Sequence, residues 1–169
     1  MEKVDEVEVR SVEHAITLAK YLFGESFFDK IEAKERNKMI ESEETIRIKI
    51  PKGFNPELDK SKIIKQGKHH RVIEVEAKID TGALRSSIDE NLARELGLLA
   101  EDKILYYRHY KSALGKNIER PVIGLTFWIK GKKIVTAVNV ANREGLRTRF
   151  LIGRKDLNGF LISAKVING

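Results

Sequence analysis

The chain has 169 residues and not one cysteine. That absence removes thiolate nucleophiles, cysteine-ligated zinc and iron–sulfur clusters together, and it fits a reducing compartment. Proline is scarce, with three residues in all, and no internal repeat or low-complexity tract appears. No apolar run approaches the length of a membrane span. The segment MEKVDEVEVR is charged from its second residue, which is not how a signal peptide begins. A soluble, cytoplasmic protein is expected. There is no Walker-type or dinucleotide glycine loop, so ATP chemistry is not expected in this chain. Nor is there an H-E-x-x-H motif. The four histidines are His14, His69, His70 and His109, and the adjacent pair would point to opposite faces of a strand. Their spacing predicts no metal site, and no cofactor is expected.

What is abundant is charge, unevenly placed. Residues 1–44 carry 7 basic and 12 acidic side chains, whereas residues 45–169 carry 25 basic and 13 acidic ones. A basic body behind an acidic leader points to an anionic partner, either an acidic peptide or nucleic acid. The same composition also suits the solvated surface of a heat-adapted protein.

Periodicity divides the chain at the same place. SVEHAITLAKYLF (11–23) spaces its apolar residues as a helix does and stops at Gly24. Residues 27–43 read as a second helix, giving an acidic helical extension over 1–44. From Thr45 the pattern becomes strand-like: TIRIKI alternates with period two, and RVIEVEAKI (71–79) runs straight into Asp80. The charged stretch 57–70 between them reads as a loop. Asp89 is placed to cap a short helix, ENLAREL, closed by Gly97. ILYYRHYK (104–111) and RPVIGLTFWI (120–129) read as a hairpin with its tip near Ser112–Asn117. Lys130-Gly131-Lys132 turns the chain into KIVTAVNVA, and FLIG (150–153) precedes a helical turn. FLISAKVI (160–167) is the last expected strand. The prediction is a mostly β, barrel-like domain over residues 45–169.

Asp80-Thr81-Gly82, at the end of the strand 71–79, is the candidate chemistry. Glycine permits the sharp turn that carries a carboxylate out of a sheet. The threonine hydroxyl is able to hold such a loop, and Ala83 leaves room for close packing. Alone, the tripeptide is also a common turn.

Its surroundings are more specific. IDTGALRSSIDENLARELGL resembles the first half of a retropepsin-type aspartic protease: apolar strand, Asp-Thr-Gly-Ala, a serine a few residues on, and a helix ending in Leu-Gly-Leu. About seventy residues later, FLIGRKDLNGFLI resembles the second signature of that fold. There a glycine strand runs beneath the active-site loop, so Gly153 and Arg154 are expected to support Asp80. The hairpin tip lies where retropepsins carry their flap. The runs AKIDTGA, RPVIGLTFWIKGKKI and VNVANREGLRTRFLIGRKDLNGFLI further resemble the ATP-dependent zinc protease family, also called retropepsin-like endopeptidases. Lys78, where viral enzymes usually have an apolar residue, fits that branch. Members commonly carry a histidine where this chain has Asp89, so that histidine's role does not transfer. The resemblance implies a cytoplasmic aspartyl protease, a functional link to an ATP-grasp glutamate ligase, and a glutamate-extended ribosomal-protein tail as substrate.

Basic residues cluster around these motifs in sequence: Lys78 and Arg85 beside the loop, Arg108, Lys111 and Lys116 on the hairpin, Arg120 on its return strand. As a set they are candidates for holding a polyanionic substrate. Three readings follow. The first is an aspartic endopeptidase in which Asp80 is catalytic and Thr81, Gly82 and Ala83 shape its loop. Because the chain has one such aspartate, it would work as a homodimer. The second is a non-catalytic basic module binding anionic peptide or RNA, with Tyr106, Tyr107 and Tyr110 as stacking groups. The third is a metallohydrolase.

Overall fold

The computed structural model describes residues 12–24, 38–53 and 58–163. The chain divides into two compact units, Met1–Met39 and Ile40–Gly169. The first contains α1 (Val12–Phe23), as the apolar spacing predicts. Of the second helix expected over 27–43, residues 27–37 lie outside the described residues. The remainder is not helical: β1 spans Met39–Ile40 and β2 already starts at Glu43. Ile40 is fully buried, and its carbonyl accepts the Ser163 N–H at 2.8 Å. The adjacent Met39-Ile40 pair fits either periodicity, and a tertiary partner decides it.

The second unit is built on alternation. In β2 (Glu43–Pro51) Ile46, Ile48 and Ile50 point inward, while Arg47 and Lys49 are exposed. β2 pairs along its whole length with the antiparallel β4 (His70–Asp80), from Glu43 opposite Lys78 to Pro51 opposite His70. The stretch 57–70 is not simply a loop. It holds a 3-10 turn at Lys60–Lys62, capped by the Asp59 carboxylate, and a short strand β3 (Ile63–Gln66). β3 takes its conformation from the ladder that β4 offers, Ile63 opposite Ile73 and Gln66 opposite Arg71. That long-range pairing leaves no periodic trace in four residues.

β5 (Ser87–Asp89) leads into α2 (Glu90–Glu95), and β6 (Ile104–Lys111) with β7 (Asn117–Ile129) forms the expected hairpin. β8 (Lys132–Ala141) and β9 (Phe150–Gly153) follow, then a 3-10 turn at Arg154–Asp156 and β10 (Leu161–Ile162). Beyond Ser163 the strand expected over 160–167 runs out of the described residues. The sheet order is β2-β4-β9-β5-β8-β7, and β7 pairs back to β2 through Trp128–Arg47 and Phe127–Ile48. Six strands thus close a mostly β barrel, with β6 extending from β7 beyond it. Phe127 and Phe150, both fully buried, meet edge to face inside, ring centres 5.5 Å apart. Burying each such ring contributes about 2–3 kcal/mol. No helix among the described residues is long and apolar enough to cross a membrane.

One topological detail positions the site. β9 lies between β4 and β5, parallel to the first and antiparallel to the second. β4 and β5 are consecutive in the chain, joined by residues 81–86. The connection therefore has to pass over the end of β9, and it starts directly after Asp80.

Candidate active site

Asp80 ends β4 directly opposite Gly153, the last residue of β9. Its side chain is half-buried, and Oδ1 accepts the Gly82 N–H at 2.9 Å. Its carbonyl accepts the Ala83 N–H at 3.3 Å, closing a tight turn. Thr81 and Gly82, at the apex, are exposed. The loop is thus shaped by its own main chain around the carboxylate, as the strand-end Asp-Thr-Gly pattern requires.

The underside is held by β9 and the turn that follows. The Arg154 N–H donates to the Ala83 carbonyl at 2.8 Å, and Lys155 N–H to the Leu84 carbonyl at 3.0 Å. The Arg154 guanidinium reaches the Thr81 carbonyl at 3.2 Å. Gly153 has no room for a side chain: a Cβ there would sit 2.5–2.7 Å from the backbone atoms of Arg85. Only glycine lets the two chain segments approach this closely.

Ser86, to which the sequence reading assigns no role, completes the support. The Ser86 side chain is fully buried. Its hydroxyl accepts the Gly153 N–H at 3.1 Å and donates to Asp156 Oδ2 at 2.6 Å. Its carbonyl accepts the Asn139 N–H at 3.0 Å, tying the loop to β8 as well. The serine following the DTG tripeptide was a visible signal, but its partners lie 53–70 positions away.

Asp89 is buried and caps α2, Oδ2 accepting the Leu92 N–H. Oδ1 accepts the Arg143 N–H at 2.8 Å, and Arg149 bridges Asp89 to Glu95. Burial pushes the Asp89 carboxyl up, but the hydrogen bonds from Arg143, Leu92 and Arg149 outweigh it and hold it below the usual carboxylate range. This cluster ties the segment 142–149 to the α2 end of the domain.

The six basic candidates separate. Arg85, Arg108 and Arg120 are half-buried and line one cavity of about 410 Å³ next to the Asp80 loop. Lys78, Lys111 and Lys116 are exposed and do not line it. Lys78 is on the outward-facing side of β4, and the two hairpin lysines flank the tip, where Gly115 turns with φ of 75°. Arg143, not among the sequence candidates, also lines the cavity. Among the described residues no group of three or more His, Asp or Glu side chains is arranged to hold a metal ion.

No family model matches the chain, and no curated protein matches it. Solved structures do. The simian foamy virus (mac) protease is 16% identical, with a TM-score of 0.41 over 66% of this chain and 90% of that one. Lpg0085 from Legionella pneumophila, of unknown function, is 16% identical, with a TM-score of 0.42 over 77% and 95%. The retroviral protease-like domain of Ddi1 from Leishmania major is 20% identical, with a TM-score of 0.38 over 50% and 66%. These scores carry no weight for function, which has to be read from the loop and its surroundings.

Proposed function

We propose that this chain is an aspartic-type peptidase of retropepsin-like fold, active as a homodimer to which each chain contributes Asp80. The observation that carries the reading is the seat of Asp80: a carboxylate at a strand end, on a loop braced from beneath by Gly153 and Arg154. Peptide hydrolysis by carboxylates needs two of them sharing one proton. The ionised one draws a proton from water as it attacks, and the protonated one donates to the peptide carbonyl oxygen. The pair titrates as a unit.

With one DTG aspartate per chain, a two-fold axis beside the loop supplies the second carboxylate. Supporting this, the apex of the loop is open: Thr81 and Gly82 are exposed, as is Leu84 beside them. The hairpin tip around Ser112–Asn117 would serve as the flap over a bound peptide.

The substrate class is an acidic peptide, supported by the arginines lining the neighbouring cavity. A glutamate-extended tail of a ribosomal protein, made by an ATP-grasp ligase, has that chemistry. The likeness to the ATP-dependent zinc protease family rests on the sequence runs alone, and no step of the mechanism uses zinc. The test is cleavage of glutamate-rich peptides by wild type and Asp80→Asn, with sedimentation to measure the dimer. Loss of about a hundredfold or more in rate is expected. Unchanged cleavage, or activity in a strict monomer, would overturn the reading. The same arginines also favour a second reading, a binding module in which anion affinity survives Asp80→Asn.

A further inference from the structure

Four arginines reach one cavity from three separate parts of the fold. Arg85 comes from the Asp80 loop, Arg108 and Arg120 from facing positions on β6 and β7, and Arg143 from the segment after β8. All four are half-buried, and no Asp or Glu lines the cavity with them. No acidic side chain in the lining offsets these four guanidiniums, which gives the cavity wall a positive character suited to an anion.

Two of the arginines are placed by contacts on the described residues. Arg120 stacks its guanidinium 5.2 Å above the Tyr110 ring. Arg143 is fixed by its main-chain N–H on Asp89 and by Nε donating to the Thr148 carbonyl at 3.2 Å. Its two terminal nitrogens carry no hydrogen bond among the described residues, and the residue lines the cavity. Burial pulls the Arg143 guanidinium below its ordinary value, and the charges of Asp89 and Asp80 pull it partly back, so it lies within the field of the candidate catalytic carboxylate.

Arg85 Nε and Asn139 Oδ1 are buried and have no hydrogen-bond partner among the described residues. Both residues line the cavity. Buried polar atoms are almost always paired, and these two lie behind the cavity surface. A carboxylate would take guanidinium N–H bonds in the paired geometry that arginine favours.

We propose that this cavity is a subsite for one acidic side chain of an extended peptide, with Arg143 as a specificity-determining residue. The two-fold axis of the proposed dimer repeats the cavity on the other side of the scissile bond. The preferred substrate therefore carries Asp or Glu on both flanks of the cut. This second part rests on the homodimeric peptidase reading; the subsite itself does not.

The test uses the full chain carrying Asp80→Asn, so that bound peptides persist. Eight-residue peptides with glutamate on both flanks, on either flank alone, or with glutamine throughout are titrated by fluorescence anisotropy. Affinity is expected to fall about tenfold for each glutamate replaced. Adding Arg143→Gln is expected to bring glutamate and glutamine peptides to within about threefold of each other. Arg108→Gln, on the hairpin, should narrow the same ratio, and Lys133→Gln, on the exposed start of β8, should leave it unchanged. A glutamate-to-glutamine ratio that survives both arginine changes, or a short RNA that displaces the peptide at equal concentration, overturns the subsite. Wild-type cleavage separates the two claims. Equal rates on glutamate and glutamine peptides would sink the subsite and leave the peptidase standing. The expected binding ratios with no cleavage of any peptide would do the reverse.

Discussion

Gly153 lies against the main chain of Arg85 so closely that a methyl group on it would meet the Arg85 carbonyl carbon at 2.5 Å. The contact joins the end of β9 to the loop that carries Asp80. Gly153→Ala is therefore expected to force the loop off the strand, destabilising the domain by about 1–3 kcal/mol and lowering peptidase activity with it. Gly124→Ala is the control, because a Cβ there meets only the Leu105 side chain at an ordinary 3.7 Å. Urea unfolding of the two variants distinguishes them. Equal stabilities would show that the loop yields without cost.

Ser86 is the second pin. Replacing it with alanine strips the buried Gly153 N–H of its acceptor and Asp156 of its donor. A buried group left unpaired costs about 1–3 kcal/mol. Ser86→Ala should thus lower the urea midpoint without changing the slope, and reduce turnover more than substrate affinity. A variant as stable as wild type would mean the hydroxyl is dispensable.

Asp89 sets an acid limit. Its carboxyl titrates below the ordinary aspartate value because hydrogen bonds from Arg143, Leu92 and Arg149 outweigh burial. For a depressed group the stabilisation is complete above the unfolded value, about 3.9, and is lost as pH falls through the folded one. Melting temperature should fall on acidification below about pH 5 in wild type, and less steeply in Asp89→Asn. Because Asp89 also fixes the Arg143 main chain, the variant should show a weaker preference for acidic peptides at pH 7. Parallel acid limbs in the two proteins would refute the assignment.

The features legible in the sequence are those whose cause is local. Ile46, Ile48 and Ile50 announce β2 by alternation alone, and Asp80 and Gly153 stand in motifs that name their conformations. β3 was hidden because its four residues become a strand only when β4 is beside them. Met39 and Ile40, read as helix, form a short strand because Ile40 finds a partner at Ser163, far along the chain. The same separation hid the Ser86–Asp156 pair. Among the basic side chains, sequence proximity to the motifs was a partial guide. It brought in Lys78, Lys111 and Lys116, which face outward. It passed over Arg143, which Asp89 draws in from 54 positions away.

The central claim, that two chains share one active site through Asp80, is tested most directly by mixing. Wild type and Asp80→Asn are combined in equal amounts, subunits are allowed to exchange, and the initial rate of glutamate-peptide cleavage is compared with wild type at the same total protein. If each site needs an Asp80 from both chains, only wild-type pairs turn over, and the rate is expected to be about one quarter of the unmixed value. A rate near one half would mean that each chain acts alone, which contradicts the account.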